Sequence, residues 1–189
     1  LAAETAVSAM TLAMGSQAEV AAAAHLPAAE GKDAVTAIRI EGFGPSVDAR
    51  QRMLEKLLSE TGQADVLEPR EADAHWVGIQ NASHLSAAGR PVLWRICIPP
   101  ANGWKVVSGI AALGGRALLD WAGGLAWART PVSAPADAVR TLAGQAGGHA
   151  MLADAPEDMR AAVTALHPEL PVMAALSRRV REAFDPAGV

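Results

Sequence analysis

Three phrases between Val92 and His149 hold the residue types that chemistry needs: VLWRICIPP at 92 to 100, LLDWAGGLAW at 118 to 127 and AGGHA at 146 to 150. In the first, alternation puts Val92, Trp94, Ile96 and Ile98 on one face of a strand and Leu93, Arg95 and Cys97 on the other. In the second, Ala117, Leu119 and Trp121 share a face, and Asp120 lies beside Leu118 on the opposite one. An arginine and an aspartate thus interrupt two apolar strands, where an unpaired charge is costly. Two readings follow. Arg95 and Asp120 form a structural ion pair, or the Arg95 guanidinium faces an anionic ligand.

His149 follows Gly147 and Gly148, which let backbone approach something closely. An imidazole there can donate to a ligand or exchange protons near neutral pH. The competing reading is a glycine-capped helix followed by a hydrogen-bonded core histidine. No serine or aspartate spacing around His149 suggests a triad. The five histidines, His25, His75, His84, His149 and His167, are scattered, with no i, i+4 pair and only one cysteine, so no metal is expected. The glycine phrases match neither GxGxxG nor GxxxxGK[ST]. Trp94, Trp104, Trp121 and Trp127 read as core packing rather than a stacking platform, with Trp121 as the exception to watch.

The chain that positions these residues has 189 of them, enough for one domain or for two small subdomains, 1–90 and 91–189, sharing a sheet. Hydrophobic residues make up 51% and charged ones 19%, much of the apolar share being alanine, which predicts alanine-rich helices over a valine, isoleucine and leucine sheet. A net charge of −4 without a basic stripe makes nucleic acid an unexpected partner. Cys97 has no internal disulfide partner, no apolar run reaches the roughly 18 to 20 residues of a membrane span, and no signal peptide opens the chain. The expectation is a soluble, cytoplasmic protein. Leu1 already lies in a helical pattern and the chain stops just after a turn signal, so a piece of something longer is expected.

Periodicity predicts a helix over 1–14, a strand within 18–26 and a strand over 35–40. A helix capped by Ser46 then runs to about Glu60, and a short strand follows at 65–67. Beyond it come a helix at 73–80, a strand at 92–98, a helix at 104–113, and strands at 117–121 and 125–129. A helix capped by Ser133 spans 134–146, His149 begins a strand, and a last helix occupies 171–184. This order predicts an α+β, ferredoxin-like sandwich made of two overlapping β-α-β units, with an antiparallel sheet and helices on one face.

LWRICIPP, LLDWAGGLAW, AGGHA and the terminal AFDPAGV, in that order and spacing, resemble the C-terminal region of the FAD-binding subunit of bacterial glycolate oxidase, a flavoprotein of the vanillyl-alcohol-oxidase type. The resemblance is strong from Val92 onward. It implies a cap domain over a flavin that binds to an N-terminal FAD-binding domain absent from this chain, so the chain alone would hold no FAD and turn nothing over. It implies partners too: that FAD domain, a second FAD subunit, an iron–sulfur subunit through which membrane association could arise, and a small 2-hydroxy acid such as glycolate. By motif matching, Arg95 and His149 take possible catalytic places, and Asp120, Trp121, Gly147 and Gly148 places near the cofactor. The family's following Phe-Asn-Pro-Gly-Arg segment lies beyond Val189, and residues 1–90 inherit no role. The alternative reading is a stand-alone ferredoxin-like domain that binds a small ligand or another protein, or that dimerises.

Overall fold

A computed structural model describes residues 1–28, 33–86, 88–169 and 171–187; the final Gly188 and Val189 of the AFDPAGV phrase fall outside them. The chain is α+β, with helices α1 (Ala3–Met14), α2 (Gly44–Leu57), α3 (Pro69–Gln80), α4 (Gly103–Ala112), α5 (Ala136–Gln145), α6 (Glu157–Ala162) and α7 (Pro171–Phe184). Strands β1 (Ala22–Leu26), β2 (Val35–Arg39), β3 (Val92–Cys97), β4 (Arg116–Asp120), β5 (Leu125–Thr130) and β6 (His149–Asp154) form one sheet in the order β2-β1-β4-β5-β3-β6. Every pairing is antiparallel.

The run β3-α4-β4-β5-α5-β6 is a complete split unit, because β5 inserts between β3 and β4 and β6 adds outside β3. The upstream half differs from expectation. Residues 62–68 are exposed and irregular instead of carrying a strand at 65–67, so β1 and β2 make a hairpin that extends the sheet beyond β4 rather than a second overlapping unit. Val66 and Leu67 are exposed, and an apolar pair that is not buried cannot hold a strand. Ser46 and Ser133 do not cap their helices: Pro45 sets the first turn of α2 behind Phe43, and Pro135 occupies the cap position of α5.

Helices α1, α4 and α5 cover one face. Their Val7, Met10, Val106, Ile110 and Val139 meet Val92, Trp94, Ile96 and Leu119 of the sheet. Trp94, Ile96, Ile110 and Met10 are fully buried, and each such side chain contributes roughly 1.5 to 3 kcal/mol by leaving water. Trp94 Nε1 donates to Thr130 Oγ1 at 3.2 Å, which satisfies the indole inside the core. The helices are not confined to this face, however. α3 packs Trp76 and Ile79 against Ala24, Leu26 and Leu118 on the opposite one, because its apolar positions match the second alternating set of β1 and β4. α3 reaches only that half. On β3 and β6 the residues of the same face keep solvent exposure.

The outer edge of β6 is closed by the segment after α6. Leu152 N–H donates to Ala165 O at 2.8 Å and Ala150 N–H to His167 Nδ1 at 3.2 Å, while Arg140 of α5 donates to the carbonyls of Thr164 and Leu166.

His25 of β1 is fully buried on the helix-covered face. Its Nδ1 shares a hydrogen bond with Thr36 Oγ1 at 3.0 Å, and Nε2 has no partner among the described residues. Burial lowers its pKa from 6.5 to about 4, because the charged form cannot be solvated there. In the unfolded chain the ring protonates first, so stability is complete above about pH 6.5 and falls as pH drops toward about 4. The expected loss between about pH 6.5 and about pH 5 is about 2 kcal/mol in urea unfolding, and His25→Leu should remove that slope. Equal slopes in the two chains would show that His25 is not the group responsible.

Candidate functional site

Register brings the candidate residues onto the exposed face. Cys97 of β3 pairs with His149 of β6 on one side and Leu125 of β5 on the other, and Leu125 pairs with Asp120 of β4. The next row across the sheet is Met151, Arg95, Trp127 and Leu118. Arg95, Cys97, Asp120 and His149 therefore share one surface within two rows, as alternation on each strand dictates.

Arg95 and Asp120 do not form the ion pair that the sequence allowed. β5 stands between their strands, a separation of roughly 10 Å at about 4.8 Å per strand. Arg95 instead donates from Nη1 to Cys97 Sγ at 3.1 Å, and its guanidinium carbon lies 5.2 Å from the centre of the Trp121 ring, within cation–π range. Among the described residues Arg95 has no carboxylate partner. Asp120 Oδ1 accepts the Trp121 N–H at 2.7 Å. Burial pushes the Asp120 carboxyl above its ordinary value, and that hydrogen bond opposes the shift.

Trp121 stands out from the surface, 58% exposed, on an unusual turn. Trp121 and Ala122 are consecutive residues in the left-handed region, with φ of 52° and 55°, which costs roughly 1 to 2 kcal/mol each. Gly123 follows at φ 102°, and a Cβ there would lie 2.7 Å from Pro100 O. Ile98 N–H donates to Gly124 O at 3.0 Å, so the far side of the turn is fastened to the end of β3 and the segment after it. The other tryptophans pack: Trp94 is fully buried, Trp104 is partly buried against the main core and Trp127 against the α3 cluster.

Gly147 and Gly148 end α5 in a Schellman motif. Gly147, at φ 84°, donates to Gly144 O at 2.9 Å, and Gly148 donates to Ala143 O at 2.9 Å. The close approach at Gly148 is internal: a Cβ would lie 2.0 Å from Cys97 O. The helix-cap reading of the two glycines is therefore what the structure contains. The core-histidine reading of His149 is not, since the residue is exposed, with its ring 6.5 Å from that of His167.

Sequence reasoning left Cys97, Met151 and Trp127 out of the candidate set. Alternation placed Cys97 beside Arg95, but only the β3–β6 and β3–β5 registers bring Met151 and Trp127 next to them. A cavity of about 130 Å³ is lined by Leu26, His84, Leu85 and Leu118 and includes none of the candidates. Among the described residues no three His, Cys, Asp or Glu side chains gather as metal ligands, and no helix is long and apolar enough to cross a membrane.

Comparison with protein-family models, with curated proteins and with solved structures finds no match for this chain.

Proposed function

We propose that this chain is the substrate-side cap domain of an FAD-dependent 2-hydroxy-acid oxidase subunit of the glycolate oxidase type. The observation that carries the reading is the pairing of Arg95 with the exposed Trp121 on a sheet face that also carries His149 and whose β3 and β6 residues keep partial solvent exposure. An exposed indole, a guanidinium without a carboxylate and an exposed imidazole suit one wall against a flat ring system and a small anion. The other wall belongs to an N-terminal FAD-binding domain, with a second FAD subunit and an iron–sulfur subunit as partners. Bound flavin supplies the acceptor for the hydride leaving the substrate α-carbon. Arg95 binds the carboxylate and His149 takes the hydroxyl proton at a ring nitrogen. The two are diagonal neighbours on adjacent strands, roughly 7 to 8 Å apart and somewhat less at their Cβ atoms. Gly147 and Gly148 serve by setting where His149 starts, and Asp120 through Trp121.

The test is the longer protein. A parent reading frame with an FAD-binding domain of about 170 residues upstream, an ordinary domain size, should yield a yellow complex that reduces dye with glycolate. The isolated chain should be colourless and inactive. A reading frame with neither that domain nor a Phe-Asn-Pro-Gly-Arg segment downstream would sink the proposal.

A protein-interaction or dimerisation domain is the second reading, favoured by α7. None of its residues is buried, and Val172, Leu176, Val180 and Phe184 are each at least half exposed. Light scattering of the isolated chain at several concentrations tests α7 as a self-association surface, through a tight dimer lost on Leu176→Glu and Val180→Glu; a cap domain without its flavin domain would also expose apolar surface, so the parent reading frame is what separates the two readings.

A further inference from the structure

Asp120 is half-buried and has no cationic partner among the described residues, yet it sits where β4 gives way to two left-handed residues. Its carboxylate accepts the N–H of the first of them. The rest of the turn is held from the opposite side. Gly124 N–H donates to Trp121 O at 3.0 Å, Gly124 O accepts from Ile98, and Gly123 fits against Pro100 and Gly103 with no room for a side chain. Glycine would take the left-handed conformation freely, and two glycines stand only two residues further on. The chain instead places tryptophan in the strained position and a carboxylate immediately before it. The result is an indole that leaves Ala122 buried beneath the turn, 7% exposed, while its own ring projects over the open face beside Arg95.

We infer that Asp120 is a positioning residue: it latches the left-handed turn so that Trp121 stands out beside Arg95, and this preset indole–guanidinium pair is the surface a flat ligand meets. Asp120 therefore acts through Trp121 rather than by touching a ligand. The last step rests on the cap-domain reading above; the latch itself does not.

The chain labelled with 5-fluorotryptophan should give five ¹⁹F resonances for its five tryptophans, with Trp121→Phe identifying that of Trp121. Arg95→Gln should shift the Trp121 resonance. Asp120→Ala should move it toward the position of the free amino acid and abolish its response to Arg95→Gln, leaving the other four in place. Asp120→Asn, whose side-chain oxygen accepts the same hydrogen bond, should restore both. An unchanged Trp121 resonance in Asp120→Ala, or an Asp120→Asn chain that behaves like Asp120→Ala, overturns the inference. Should Asp120→Ala lose the fold, the comparison moves to a Trp121→Gly background, where glycine needs no latch. Adding Asp120→Ala should then leave Tm unchanged, and a drop of several degrees overturns the inference. Neither readout involves flavin or substrate, so the latch can fail while glycolate oxidation stands, and the reverse.

Discussion

Gly148→Ala is expected to cost on the order of 3 kcal/mol or more in urea or thermal unfolding, enough to prevent accumulation of folded protein if the domain is marginal. The new methyl would sit 2.0 Å from Cys97 O and 2.6 Å from Ile98 Cγ2. These atoms belong to the end of β3, whose Trp94 and Ile96 are fully buried and hydrogen-bonded to strands on both sides. Neither side can retreat without opening the β3–β6 ladder. The neighbouring positions make sharp controls. Gly147→Ala places a methyl 3.4 Å from Pro99 Cγ at φ 84°, so its cost is mainly that of left-handed backbone, roughly 1 to 2 kcal/mol. Gly144→Ala meets nothing within 4 Å inside α5 and should stabilise by roughly 0.5 to 1 kcal/mol. Equal stabilities for all three would mean that β6 does not start against Cys97 as described.

On the proposed cap-domain reading, Arg95→Gln in a flavin-containing parent protein should lower kcat/KM for a 2-hydroxy acid by roughly 100-fold, equivalent to about 3 kcal/mol for an unpaired charge contact. Most of that should fall on KM if the carboxylate is held equally in ground and transition states. Arg95→Lys keeps the charge but not the planar fork or the stacking on Trp121, so an intermediate loss of about 10-fold is expected. Full activity in Arg95→Lys would remove Arg95 from carboxylate binding. Unfolding curves should change little for either substitution, since the side chain's hydrogen bond is to Cys97 Sγ, a weak acceptor.

Much of the second half of the chain was legible because its signals are local. Strict alternation in VLWRIC separated the two faces of β3, and a glycine pair after an apolar helix identified the C-cap of α5. Alternation also put Arg95 and Asp120 on the face opposite Trp94 and Leu119, with both faces expected to be covered; the partial exposure of that face and the separation of the two residues depend on α3 reaching only half of the sheet and on β5 entering between β3 and β4, which are long-range arrangements. No spacing in the sequence carries them. The Trp121 turn was hidden for a different reason: left-handed backbone is ordinarily announced by glycine or asparagine, and here a carboxylate and distant contacts enforce it on tryptophan and alanine. Upstream, weak alanine patterning blurred the bounds of β1, and α3 gave no sign of which sheet face it would choose until β1 and β4 were neighbours.

With β6 shielded by Ala165 and His167, β2 is the outermost strand at the other rim of the sheet among the described residues, and an outermost strand offers a row of backbone donors and acceptors to another extended chain. Arg39 at the end of that rim is tied to Glu41 at 2.6 Å and to Asp73 of α3 at 3.2 Å, which places a charged knot where an added strand would have to start or stop. Charge at a sheet rim disfavours the joining of another strand, and exposed ion pairs of this kind weaken in concentrated salt. Arg39, Glu41 and Asp73 are thus the charged side chains that a second copy would meet in joining this rim edge to edge.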